Sequence, residues 1–139
     1  MKILYSEVIE KFQDVLNTPK ELIDDAFNKP DATDIVSNRY VSFRNFSDFY
    51  MIVVFEMDDI KKTVKILNAY TIYPKMMDGL DVAQMKPVKM LEEFMKIYGI
   101  DKNIPGFGPQ KFLVNKERGV CFLGILDLEK YSETVKNMN

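Results

Sequence analysis

Between Asn38 and Pro74, NRYVSFRNFSDFYMIVVFEMDDIKKTVKILNAYTIYP, short runs rich in Val, Ile and aromatics are separated by turn residues, and this predicts three consecutive antiparallel strands. The first covers about Asn38 to Arg44 and closes on Asn45, Ser47 and Asp48. The second, Phe49 to Met57, is almost wholly apolar, which suits a central strand. Asp58-Asp59 marks a reversal. In the third, Lys62 to Ile72, even spacing puts Val64, Ile66, Tyr70 and Ile72 on one face and Thr63, Lys65, Ala69 and Thr71 on the other. The connections are too short for crossover helices, so a meander is expected, with one buried face and one open to chemistry.

The flanks carry helical periodicity. Ser6 is placed to cap a helix through Leu16 that buries Val8, Phe12, Val15 and Leu16, with Ile3 and Leu4 packing at its base. Thr18-Pro19-Lys20-Glu21 reads as a capping box with proline at the first helical position, followed by the stripe Leu22, Ile23, Ala26 and Phe27. Pro30 ends that helix, and Asp31 to Asp34 read as an acidic connection. After a loop at Pro74 to Asp81, a third helix runs from Pro87 to just before Gly99 with Val88, Leu91, Phe94, Met95 and Tyr98 on its core side. Lys111 to Val114 and Val120 to Leu126 predict a hairpin, and Asp127 caps a last helix. The expected order is α-α-β-β-β-α-β-β-α, an α+β fold in which helices cover one face of an antiparallel sheet.

At 139 residues the chain is expected to form a single domain, with residues 6–74 as its core and 75–139 as a helix-hairpin-helix extension. Histidine is absent, which removes the usual general base, the usual triads and nearly all zinc and haem chemistry. The net charge of -2 and the pI near 5.2 give the whole molecule no attraction for nucleic acid or an anionic membrane. The lone Cys121, in VCFLGIL, reads as a small buried hydrophobe and fits a reducing, cytoplasmic setting. MKILYSEV is too short an apolar run for a signal peptide, and no stretch approaches a membrane span. The acids Glu21, Asp24, Asp25, Asp31 and Asp34 lack the alternation and turn glycine of a calcium loop and read as solvated surface, so no metal site is expected. Gly106-Phe107-Gly108 has neither the strand nor the helix of a dinucleotide fingerprint, so no cofactor is expected either.

Candidate chemistry gathers on the meander. Arginine has the planar, permanently charged donors best shaped for phosphate, and two of the three arginines bracket the first strand. Tyr40, Ser42 and Arg44 share one face of that strand; Arg39, Val41 and Phe43 share the other. Lys61, Lys62 and Lys65 lie on the third strand or just before it, and Lys75 follows. With Tyr40 and Tyr70 they suggest a basic and aromatic patch for a ribose-phosphate backbone, set against edge lysines that block aggregation and tyrosines that pack.

Phe49-Tyr50-Met51-Ile52-Val53-Val54-Phe55-Glu56 resembles the apolar strand, and Ile66-Leu67-Asn68-Ala69-Tyr70 the following motif, of RelE-like and barnase/EndoU-like small ribonucleases. The resemblance runs from about Ser6 to Pro74. It implies metal-independent cleavage of single-stranded RNA through the 2'-hydroxyl, with Arg44 as phosphate clamp, Tyr70 in proton transfer or base stacking and Asn68 as a hydrogen-bond donor. Arg39, Tyr40 and Lys65 would bind the strand. RNA and an antitoxin-like protein are the partners so implied. The histidine that many such relatives carry in the first helix is missing, and Asn68 stands where threonine is usual. With the acidic pI, these departures support a second reading: a non-catalytic module on the same fold that binds a protein partner or itself.

Overall fold

The computed structural model describes residues 2–12, 19–36, 38–77, 79–81, 84–98, 114–115, 120–121, 124–125 and 133. Its spine is the apolar run predicted as a central strand, here β4 (Tyr50–Asp58), flanked by β3 (Arg39–Asn45) and β5 (Thr63–Ile72). Both pairings of the meander are as expected, but two strands join it. β1 (Lys2–Tyr5) adds in parallel to the outer edge of β5, and β2 (Ala32–Val36) adds antiparallel to β3, giving the order β1-β5-β4-β3-β2.

Both additions correct the sequence reading. Ile3 and Leu4 were expected to pack at the base of a helix, and instead they pair with Val64 and Lys65. The acidic connection runs into a strand because the Ile35-Val36 end aligns with Tyr40 and Arg39 across a tight turn. Asp31 and Asp34 are consumed locally: the Asn45 N–H donates to Asp31 Oδ2 at 2.7 Å, and the Val88 N–H donates to Asp34 Oδ2 at 3.0 Å.

The helices α1 (Glu7–Phe12) and α2 (Lys20–Asn28) lie on one face of the sheet. Ser6 caps α1, accepting from the Ile9 N–H at 3.4 Å while its hydroxyl donates to the Leu67 carbonyl at 2.6 Å. Pro19, not Thr18, occupies the capping position of α2, one residue later than expected, and its carbonyl accepts from the Leu22 and Ile23 N–H groups. Thr18 lies outside the described residues. Ile9, Ile23 and Ala26 of these helices pack on Met51, Val53, Phe55, Val64, Ile66 and Ala69. Helix α3 (Pro87–Tyr98), capped by Asp34, and a 3-10 turn at Pro74–Met77 cover the opposite face, where Met90, Leu91, Phe94 and Met95 meet Val41, Phe43, Ile52, Val54, Tyr70 and Ile72.

The sheet is therefore buried on both faces over most of its area, and the expectation of one open face is overturned. The cause is α3: its apolar stripe is wide enough to bury Met90 as well as the predicted Leu91, Phe94 and Met95, and it needs a second sheet face to do so.

The predicted hairpin is present as β6 (Val114–Asn115) and β7 (Val120–Cys121), but a further strand, β8 (Gly124–Ile125), pairs antiparallel with β7, so the expected single strand from Val120 to Leu126 is divided. The observed order is β-α-α-β-β-β-β-α-β-β-β, with three α-helices among the described residues where four were expected. Of the last predicted helix only Glu133 is described, and it is helical, while the Gly106-Phe107-Gly108 loop lies outside the described residues. The mixture of elements is α+β; the order and helix count of the sequence reading are not those of the structure. No helix among the described residues is long and apolar enough to cross a membrane.

Candidate functional site

One irregularity in β5 decides which side chains meet. Val54 pairs with Asn68 and Phe55 with Ile66, so Leu67 is an extra residue opposite the junction of its partners, a β-bulge. Side chains before and after it therefore follow opposite parities. Val64 and Ile66 face α1 and α2, whereas Tyr70 and Ile72 face α3. The even spacing read as one face is split between two.

The consequences for the candidate residues are direct. Arg44 pairs with Met51, on the α1/α2 face, while Tyr70 pairs with Ile52, on the α3 face, so guanidinium and phenol lie on opposite sides of the sheet. Tyr70 is fully buried, its ring 6.1 Å from that of Phe94 in an edge contact. Asn68, at the bulge, is also fully buried. Tyr40 is half-buried and stacks on Phe55 at 5.3 Å.

Arg44 itself has a structural partner. Its Nη1 donates to the Lys29 carbonyl at 2.8 Å, and its guanidinium lies over the Phe46 ring at 5.1 Å. Lys29 is the C-cap of α2, so a fixed positive charge sits where the helix ends in unpaired carbonyls.

Arg39 and Lys65 fall elsewhere, together. At the end of the sheet beyond α3, Leu4, Lys65 and Glu56 are register neighbours across β1, β5 and β4, and Arg39 Nε on β3 lies 3.9 Å from Glu56 Oε2. Leu4, Glu56 and Lys65 of this row line a groove of about 610 Å³ that also takes in Asn38 and the β4–β5 turn. The turn is fixed by Asp58, whose Oδ1 accepts from the Ile60 and Lys61 N–H groups, both at 3.0 Å, and by Lys62 at a φ of 53°. Ile60 stands at its apex, 95% exposed, with Leu4 and Met57 also open on the groove rim. Glu56, Asp58 and Asp59 face Lys61 and Lys65 around the groove, so both signs of charge are present.

Arg39, Lys61 and Lys65, expected in a patch for a ribose-phosphate backbone, sit at this end, but Ile60 was not among the expected contact residues. The signal was there in Asp58-Asp59-Ile60-Lys61-Lys62, a lone branched apolar residue at a reversal between two pairs of charges, where a turn ordinarily carries polar residues.

Elsewhere, the Tyr5 hydroxyl donates a short hydrogen bond to Asp24 Oδ1, tying β1 to α2, and the Lys20 ammonium lies 4.6 Å from the Tyr5 ring centre. Burial, then the Asp24 bond and the nearby charges of Asp24, Glu10 and Glu21, push the Tyr5 phenol well above its ordinary range. Three of the five acids expected to be solvated, Asp24, Asp31 and Asp34, thus hold elements together. Among the described residues no three acids or thiols converge as a metal site. No protein-family model, no curated protein and no solved structure matches the chain.

Proposed function

We propose that the chain is a non-catalytic interaction module whose contact surface is the β4–β5 end of the sheet. The observation that carries this reading is the separation of Arg44 from Tyr70 by the thickness of the sheet, combined with an exposed Ile60 on a preformed turn. In-line cleavage of RNA needs a phosphate clamp and a proton-transfer group within hydrogen-bond reach of one phosphodiester. Here the clamp residue holds a helix end and the phenol packs beneath α3. Glu56 and Lys65 line a groove beside the apolar residues Leu4, Met57 and Ile60, with Arg39 next to Glu56, a composition suited to a protein surface.

Two measurements test the reading. RNA incubated with purified protein in EDTA stays intact, and Arg44→Ala alters stability alone. By light scattering or pull-down, the parent associates with a protein partner or itself, and Ile60→Arg abolishes the association without shifting the melting temperature. RNA fragments with cyclic-phosphate ends, lost on Arg44→Ala, would restore the ribonuclease reading.

A further inference from the structure

We infer that the partner at this end is a second copy of the chain, joined tip to tip through the β4–β5 turns; the inference rests on the interaction-module reading. The turn sequence Asp58-Asp59-Ile60-Lys61-Lys62 inverts its charge about Ile60. Two copies meeting at their tips can be related by two kinds of two-fold axis. An axis lying in the plane of the hairpin sets each residue opposite its own counterpart, acid on acid and lysine on lysine. An axis normal to that plane sets residue 59 opposite residue 61 of the other copy and residue 58 opposite residue 62. Every tip charge then faces its opposite around a central contact between the two Ile60 side chains. The order of charges selects the second arrangement and penalises the first.

Four further observations fit. Among the described residues no ion pair within the chain engages Asp59 or Lys61, so both side chains are available without breaking a contact. The turn is already fixed by Asp58 and the backbone of Lys62, so little conformational entropy is lost on docking. A net charge of -2 leaves little repulsion between copies at physiological salt. Leu4 and Met57, on the groove rim at 39% and 38% exposure, extend the apolar contact beyond Ile60. A tip and its rim are smaller than the roughly 800 Å² per partner of a standard stable interface, so the dimer exchanges readily and strengthens as salt is lowered.

The test is a charge-swap experiment by sedimentation velocity at low salt, from micromolar to millimolar protein. The parent shows a concentration-dependent dimer. Asp59→Lys and Lys61→Asp, each alone, place like charges opposite one another and weaken association by about tenfold or more. An equimolar mixture of the two single variants forms a 1:1 heterodimer, and the double variant Asp59→Lys/Lys61→Asp regains the homodimer. Neither side chain holds the turn, and unchanged circular dichroism and melting confirm the fold of each variant. A parent that stays monomeric at all concentrations, single variants that dimerise like the parent, or a mixture that remains monomeric would each overturn the inference. A monomeric parent with intact RNA removes self-association and leaves the module reading standing; Arg44-dependent RNA cleavage removes the module reading itself.

Discussion

Arg44→Ala separates a structural from a catalytic role for the residue that the sequence marks most strongly. Three interactions are lost with the side chain. The charged hydrogen bond to the Lys29 carbonyl contributes about 1.5 kcal/mol, toward the low end for a charged donor because the site is half-exposed. The contact with the Phe46 ring contributes about 0.5 kcal/mol, and the favourable placement at the C-terminus of α2 about 0.5 kcal/mol. The buried Nε has no hydrogen-bond partner, which offsets part of this, so the expected net loss is about 1–2 kcal/mol. With a urea m-value of about 2 kcal/mol/M for a chain of this size, the unfolding midpoint falls by about 0.5–1 M with m unchanged. Arg44→Lys keeps the charge and loses the planar donor, and it recovers about half of the deficit. The assay is equilibrium urea unfolding followed by circular dichroism. A midpoint equal to that of the parent would refute the capping role, and loss of an RNA-cleaving activity at equal stability would return Arg44 to a catalytic one.

Further expectations rest on other contacts. Tyr5→Phe removes the bond that ties β1 to α2 and lowers stability by about 1 kcal/mol at neutral pH, discounted for the site's partial exposure. The folded-state pKa of Tyr5 is raised, so its contribution is present below the ordinary phenol range near pH 10 and is lost as pH rises toward the folded value; melting curves above about pH 9 should fall more steeply for the parent than for Tyr5→Phe. Asp34→Ala leaves the first turn of α3 without its acceptor and lowers the urea midpoint by the equivalent of about 1 kcal/mol, whereas Asp25→Ala, which makes no side-chain contact among the described residues, changes it by less than about 0.5 kcal/mol. Ile60→Ser leaves thermal unfolding unchanged within about 0.5 kcal/mol, because a side chain 95% exposed contributes almost nothing to the folded core.

The meander was legible because its determinants are local. β4 is a continuous apolar run, its neighbours alternate, and the Asn45 and Asp58 turns are short and polar, with Asn45 Oδ1 accepting from the Ser47 N–H and Asp58 Oδ1 from Ile60 and Lys61. The Ser6 cap and the α3 stripe were legible for the same reason. β1 and β2 were not, since each is only a few residues long and gains its identity from the partner it pairs with. Lys2–Tyr5 is a strand because β5 offers an unpaired edge, and Ala32–Val36 because β3 offers another.

The candidate site was misplaced by a single residue. A period of two carries facing information only while the ladder is regular, and the extra Leu67 exchanges the faces for everything beyond it. Before the bulge, Lys65 projects beside Glu56 and Leu4 on the uncovered end of the α3 side; after it, Tyr70 turns to the same side but under Phe94, while Thr71 rather than Tyr70 shares the side of Arg44. Had Leu67 taken a regular place in the ladder instead of bulging, Tyr70 would lie on the α1/α2 face with Arg44, as the uninterrupted alternation implied. Deleting Leu67 therefore makes the ladder regular while Val64 and Ile66 stay on the α1/α2 face and Tyr70 and Ile72 on the α3 face. Two buried layers are thus fitted to the two halves of the strand, and among the described residues neither layer covers the β4–β5 turn, where Ile60 is exposed.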